Sequence, residues 1–287
     1  MSNGPAVIYR YDGTFDGLLT AVFEAYAHPV EVKAITAREE LQMGWGQEEI
    51  FLPTDAEKAR RVEAGILKKI GSAALQRVEV CFWSGEEDKD TALYRYLRAG
   101  FDLGRRIYNS LTYPDVLAVE YLYRNITREE QRVQGFTRFS EMENGVYYAS
   151  IAPKNSLVPL LMPHFADRFS IQPFLLHDTQ HAMAGVYDGR DWYLVETDEL
   201  EVPDVSSREH EFRQMWRQFY DAVAISQRRN HKLRQGMMPK WYWRNMTEFN
   251  FRYAPEQRQQ QKVQEEEGRQ GSNSSSTCHF SIQRQSK

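Results

Sequence analysis

The residues with the clearest chemical potential lie in the stretch "RRNHKLRQGMMPKWYWRNMTEF", Arg228 to Phe249. Between Ser226 and Arg252 there are seven basic residues (Arg228, Arg229, Lys232, Arg234, Lys240, Arg244 and Arg252) and one acid, Glu248, in a chain whose formal net charge is −4. Clustered lysine and arginine bind phosphate backbones through charge and counterion release. Rings set among those charges stack on exposed bases, worth roughly 1–3 kcal/mol per base. Trp241, Tyr242 and Trp243 follow Lys240 directly, so "KWYWR" offers both contributions. The candidate nucleic-acid-binding residues are therefore Arg228, Arg229, Lys232, Arg234, Lys240, Trp241, Trp243 and Arg244. A plainer reading stands beside this one. Tyr242, Met246 and Phe249 have helical spacing and would dock a helix opened by Pro239 at its first position. The charges would then form a solvated face that complements the acidic remainder of the chain.

Four further residues have the chemistry for catalysis. Asp12 and Asp16, four apart at a strand-to-helix junction, would hold a metal or polarise a water if they faced the same way. Capping and a favourable position at the helix N-terminus account for them equally simply. His164, in "MPHFADRF" with Arg168, is suited to proton transfer or phosphate contact; it also fits an ordinary helix surface. Arg138, in "FTRF", is read on the first strand of a hairpin, where its guanidinium would meet a phosphate or pair with Glu141 or Glu143. His177 and His181 have the i, i+4 spacing of helical metal ligands, but their segment reads as strand, turn and strand with no third ligand in reach. No metal and no cofactor are expected. No glycine fingerprint separates the first strand from the helix after it. Two cysteines, Cys81 and Cys278, are too few for a thiolate metal site or a disulfide framework.

The elements that must position these groups follow from periodicity. Val7 to Tyr11 reads as a strand. "DGTFDGLLTAVFEAY" then has Phe15, Leu18, Leu19, Val22, Phe23 and Tyr26 at helical spacing, with Asp12 or Thr14 as N-cap. A strand near Val30 to Ile35 completes a β-α-β opening. "TDAEKARRVEAGILKKIG" is an amphipathic helix that buries Ala59, Val62, Ile66 and Ile70. "LQRVEVCFW" suits a helix end or a strand. A long helix is expected from Asp90 to Tyr108, with Gly100 and Gly104 on one close-packing face, and a shorter one from Asp115 to Tyr123. The Glu143-Asn144-Gly145 turn signals a hairpin. Leu157 to Phe169 reads as helix, Pro173 to Thr197 as three strands, and Ser207 to Gln227 as a helix with Phe212, Met215, Trp216, Phe219, Ala222 and Val223 turned inward. From Ala254 the sequence is rich in Gln, Glu and Ser and too poor in apolar residues to order itself. The expected fold is α+β: a mainly helical N-terminal half with a short β-α-β opening, then an antiparallel sheet with packed helices, then a disordered C-terminal tail. One globular domain spans 1–253, divisible at 1–134 and 135–253, and the tail spans 254–287. Apolar residues make up 41% of the chain and no run reaches ~20 apolar residues, so no membrane contact and a cytoplasmic location are expected.

The pieces "YRYDGTFDGLLTAVFEAY", "GFTRFSEMENGVYYASIAP" with "LVPLLMPHFADRF", and "RRNHKLRQGMMPKWYWRNMTEF" together resemble the bacterial family catalogued as domain of unknown function 4130. They span Tyr9 to Phe249, nearly all of the expected folded part. Members are described as DNA metabolism or repair proteins. The resemblance implies a radical-SAM protein as partner, and related domains occur fused to uracil-DNA-glycosylase-like domains. This chain has no three-cysteine iron–sulfur motif, so such chemistry would come from the partner.

Three functions stay open at this level. The first is an accessory protein of DNA metabolism that binds nucleic acid, with DNA as the expected partner. The second is an enzyme of unknown reaction on a damaged or modified base, which a deep pocket gathering Asp12, His164 and Arg138 would favour and three mutually distant surface positions would count against. The third is a protein-interaction module with no nucleic-acid contact.

Overall fold

A computed structural model describes residues 6–28, 31–39, 47–197, 200–223, 230–250 and 282–283. Contacts divide the chain into two compact units, Met1–Arg128 and Glu129–Lys287.

The first unit opens with β1 (Ala6–Arg10), α1 (Phe15–Ala27) and β2 (Val32–Thr36), the expected β-α-β. Strand β3 (Gln47–Phe51) lies on the other side of β1, and both pairings are parallel. The central strand buries Val7, Ile8 and Tyr9 in succession, because a parallel strand is covered on both faces. Thr14 caps α1, its hydroxyl accepting from the Gly17 amide. Asp55 caps α2 (Ala56–Lys69) by accepting from the Glu57 and Lys58 amides. The ambiguous "LQRVEVCFW" is helical, the end of α3 (Ser72–Phe82), with Ala74, Leu75, Val78, Cys81 and Phe82 buried at helical spacing. Burial pushes the Cys81 thiol up to about 12, so it packs as a small hydrophobe; Cys278 lies outside the described residues.

Two expectations in this unit need correction. The long helix is α4 (Lys89–Leu103) followed by a 3-10 turn, Gly104–Asn109. Gly104 has φ +60° and ends α4 instead of sharing a packing face. Gly100 alone makes the close approach, since a Cβ there would meet Ile70 Cδ1 at 2.6 Å. The helix expected to end at Tyr123 is α5 (Pro114–Phe136). "TREEQRVQ" carries it on because the segment has strong helix formers and no glycine or proline before Gly135. The division between the units falls within α5.

In the second unit, β4 (Ser140–Glu141) and β5 (Tyr147–Ile151) form the expected hairpin. Helix α6 (Val158–Phe169) then crosses to β6 (Phe174–Asp178), and β7 (Met183–Tyr187) and β8 (Trp192–Glu196) follow. The sheet is mixed: β5 and β6 run parallel, because a helix joins them, and the other pairings are antiparallel. Of the tail, only Ile282–Gln283 are described, as a short strand β9 against β8. The rest of the expected disordered segment lies outside the described residues.

Helix α6 buries Val158, Leu161, Met162 and Phe165 toward the sheet. Gly185 of β7 permits this contact, since a Cβ there would lie 2.2 Å from Met162 Sδ and 2.9 Å from Val158 Cγ1. Helix α7 (Ser207–Val223) departs from expectation: Phe212, Met215, Trp216, Phe219 and Val223 are exposed. Its attachment is partly polar. Arg213 donates to Ser140 Oγ and Arg217 to the Thr247 carbonyl, and beside these bonds Tyr220 meets the Phe249 ring edge-on. Three short elements close the described part: α8 (His231–Met237), the 3-10 turn Lys240–Asn245 and α9 (Thr247–Asn250). Among the described residues, no helix is long and apolar enough to cross a membrane.

Candidate nucleic-acid interface

The basic aromatic segment is held by its apolar and amide side chains, which leaves its charges outward. Asn230 caps α8, its side chain accepting from the Leu233 amide at 2.9 Å. Pro239 is the residue before the 3-10 turn, not the first residue of an α-helix as expected. Met246 is buried, Tyr242 packs on Phe136 with ring centroids 5.2 Å apart, and the Asn245 amide donates to the Ser150 carbonyl of β5 at 2.8 Å. These contacts fix the turn on the sheet.

Around that anchor, Lys232, Lys240 and Arg244 are exposed, and the Arg234 guanidinium sits 5.6 Å over the Phe249 ring. Among the described residues no carboxylate pairs with any of the four. Trp241 is 50% exposed. Trp243 is engaged within the unit: it stacks on Phe249 at 4.8 Å and 22°, and its Nε1 donates to the Met238 carbonyl. Arg228 and Arg229 lie outside the described residues. The lone acid, Glu248, is buried and accepts from Arg138 Nη2 at 3.1 Å and from Trp216 Nε1 at 3.2 Å.

Arg138 is therefore placed differently from expectation. It lies in the link between α5 and β4, not on a hairpin strand, and its partner is Glu248 instead of Glu141 or Glu143. Its Nη1 donates to the carbonyls of Gly135 and Thr137 at the end of α5, so the guanidinium is fixed on three sides. A groove of about 460 Å³ opens beside it, into which His164 and Arg168 of α6 also face. These two are four apart on one helix, so they share a face. The rings of Phe139, Tyr147 and Phe169 complete the wall, with Phe139 and Phe169 centroids 4.6 Å apart and Tyr147 and Phe169 5.6 Å apart. Beneath them lies fully buried Phe174. The aromatic wall was not anticipated; "FTRF" and "HFADRF" carry two of its three rings, Phe139 and Phe169, beside the cations and were the available signal. Thr137 lines this groove and also a small cleft bordered by Trp241, Tyr242 and Phe136. Arg138 and His164, weighed separately in the sequence, thus line one groove, and Thr137 is shared between it and the cleft at Trp241.

The other candidates have local structural roles. Both oxygens of Asp12 are occupied: Oδ1 accepts from the Thr14 amide and hydroxyl, and Oδ2 from the Thr54 hydroxyl at 2.6 Å. Burial by itself would raise this carboxyl, but those hydrogen bonds hold it below the usual carboxylate range. Asp16 is an exposed residue of the first turn of α1. Nearby, Tyr11 and Asp90 are buried, and burial raises both. They are 79 positions apart in the chain, which gives no local signal. In the second unit, His181 Nδ1 donates to buried Asp178 at 2.8 Å, while the Tyr148 hydroxyl meets Nδ1 of His177 at 3.0 Å. Among the described residues no group of three His, Cys, Asp or Glu side chains is placed to hold a metal.

The family whose sequence pattern is described as a domain of unknown function (DUF4130) matches residues 87–248. That is more than half of the chain, and the chain belongs to this family. No protein of curated function matches the sequence. Among solved structures, the chain is similar to a pGpG-specific phosphodiesterase, PggH, from Vibrio cholerae, at 10% identity and a TM-score of 0.29, covering 68% of this chain and 83% of that one.

Proposed function

We propose that the second unit binds nucleic acid, with DNA as the partner, and that the protein serves DNA metabolism or repair as an accessory to a radical-SAM protein. The observation that carries the binding reading is the set of exposed Lys232, Lys240 and Arg244 and half-buried Arg234, in one segment with half-exposed Trp241 and with no pairing carboxylate among the described residues. In a chain of net charge −4 such a set is not a by-product of overall composition. The radical-SAM partner rests on the family resemblance, and co-purification of the two chains tests it.

Fluorescence anisotropy with single-stranded and duplex DNA at rising salt tests the binding. The expected result is binding that weakens steeply as salt increases. No binding to either form at low salt overturns the reading. The enzymatic alternative gains one observation, the shared groove of Arg138 and His164, while Asp12 belongs to the first unit and is engaged at its turn. Base release or conversion from a damaged-base oligonucleotide, lost in His164→Ala, would select that alternative.

A further inference from the structure

We infer that the groove between α6 and the α5–β4 link takes a single unstacked nucleotide, so that the ligand of this face is DNA with an unpaired base instead of intact duplex. This rests on the nucleic-acid reading of the adjoining cationic segment and specifies its substrate class. Three features of the groove carry it.

The first is size and wall chemistry. About 460 Å³ falls within the ~300–1,000 Å³ of small-ligand sites. Phe139, Tyr147 and Phe169 are each half-buried, so part of every ring is presented to the groove while the rest is fixed by the aromatic layer beneath. Rings held this way offer a planar base a preformed surface at little ordering cost.

The second is charge. The lining includes Arg138, His164 and Arg168 and, among the described residues, no carboxylate. Arg138 is already fixed by Glu248 and two carbonyls, so it acts as a rigid wall. Arg168 is exposed and, among the described residues, its side chain makes no hydrogen bond or ion pair. Its guanidinium is free to take a phosphate in a two-pronged fashion, with the His164 imidazole one turn away on the same helix. A rim cation above an aromatic wall matches the two ends of one nucleotide.

The third is continuity. Thr137 borders both this groove and the cleft at Trp241. The cleft at Trp241 and the groove are therefore neighbours, and the proposed strand would run from one to the other. A base inside a paired duplex is stacked and cannot enter without leaving the helix, whereas an unpaired one turns in at low cost.

The test uses the full chain and three DNA probes, each with one 2-aminopurine: a single strand, a duplex with the 2-aminopurine bulged, and a fully paired duplex. Tighter binding of the first two, by about tenfold at equal salt, with a change of 2-aminopurine emission on binding, is expected. Arg168→Gln and Tyr147→Leu, each checked for an unchanged circular-dichroism melt, should bring that preference close to unity. Equal affinity for all three probes, or a preference that survives both substitutions, overturns the groove inference and leaves the nucleic-acid reading standing. No binding to any probe removes both. Displacement by free deoxynucleoside monophosphate, without a preference among the strands, assigns the groove to a free nucleotide and likewise overturns the strand-borne ligand.

Discussion

Glu248 is the residue on which the geometry of the interface turns. It is buried, and its two oxygens hold Arg138 from the α5–β4 link and Trp216 from α7. Glu248→Ala takes the carboxylate from Arg138 Nη2 and the Trp216 indole N–H, while Arg138 Nη1 keeps its two carbonyls. Arg138 keeps 29% of its side chain in solvent, so part of that cost is screened. The expected loss is about 1–3 kcal/mol in urea unfolding, and Glu248→Gln, which still accepts from Trp216, should lose less. Equal stability of Glu248→Ala and the parent would contradict the anchoring role. The paired histidines make a prediction of opposite slopes. The hydrogen bond to Asp178 raises His181 above the ordinary 6.5. Its contribution is complete below the unfolded value and is lost as pH climbs through the folded one. Burial lowers His177, only partly opposed by Asp178, so its contribution is complete above 6.5 and is lost as pH falls through its folded value. As pH rises from 6.5 through the folded value of His181, the parent should therefore lose stability that His181→Gln does not lose. Superimposable stability profiles for the two would show that the Asp178 contact adds nothing.

Helix α6 is the element that brings His164 and Arg168 to the groove, and its distance from the sheet is set by Gly185. Gly185→Ala drives a methyl into Met162 and Val158. Met162 can swing aside, but Val158 Cγ1 sits close to its own backbone, so the helix must lift. A loss of about 1–3 kcal/mol is expected, with partial recovery in Gly185→Ala/Met162→Ala. An unfolding midpoint unchanged by the single substitution would mean that α6 is not seated by this contact. Element types were legible where one period dominated. The alternation around Asn144-Gly145 marked the hairpin, and the apolar stripe from Ala59 to Ile70 marked α2. What escaped was set by tertiary context. The sequence of α7 has an amphipathic period, yet its apolar stripe is exposed, because Arg213, Trp216 and Arg217 fasten the helix through hydrogen bonds. The parallel pairing of β5 with β6 was likewise invisible in either strand's own pattern.

At the scale of the whole molecule, the proposed function rests on charge separation. An acidic chain carries on one unit a cationic cluster with no carboxylate partner among the described residues, and the sequence revealed that cluster because its residues are neighbours in the chain. It did not reveal the groove, whose cations and rings come from the α5–β4 link, β5 and α6. It could not reveal the Arg138–Glu248 pair either, which spans 110 positions. The anchoring of Trp243 on Phe249 and the exposure of Trp241 are also matters of packing, since both tryptophans occupy equivalent places in "KWYWR". The most direct measurement is the salt dependence of DNA affinity for the parent and for a variant with Lys232, Arg234, Lys240 and Arg244 all changed to Ala. Each phosphate contact contributes about 0.7–0.9 to the slope of log affinity against log salt. The parent is predicted to show a steep slope and the variant a weaker affinity with a slope shallower by about 2 to 4. Equal slopes and equal affinities for the two, in a variant that still folds, would contradict the account.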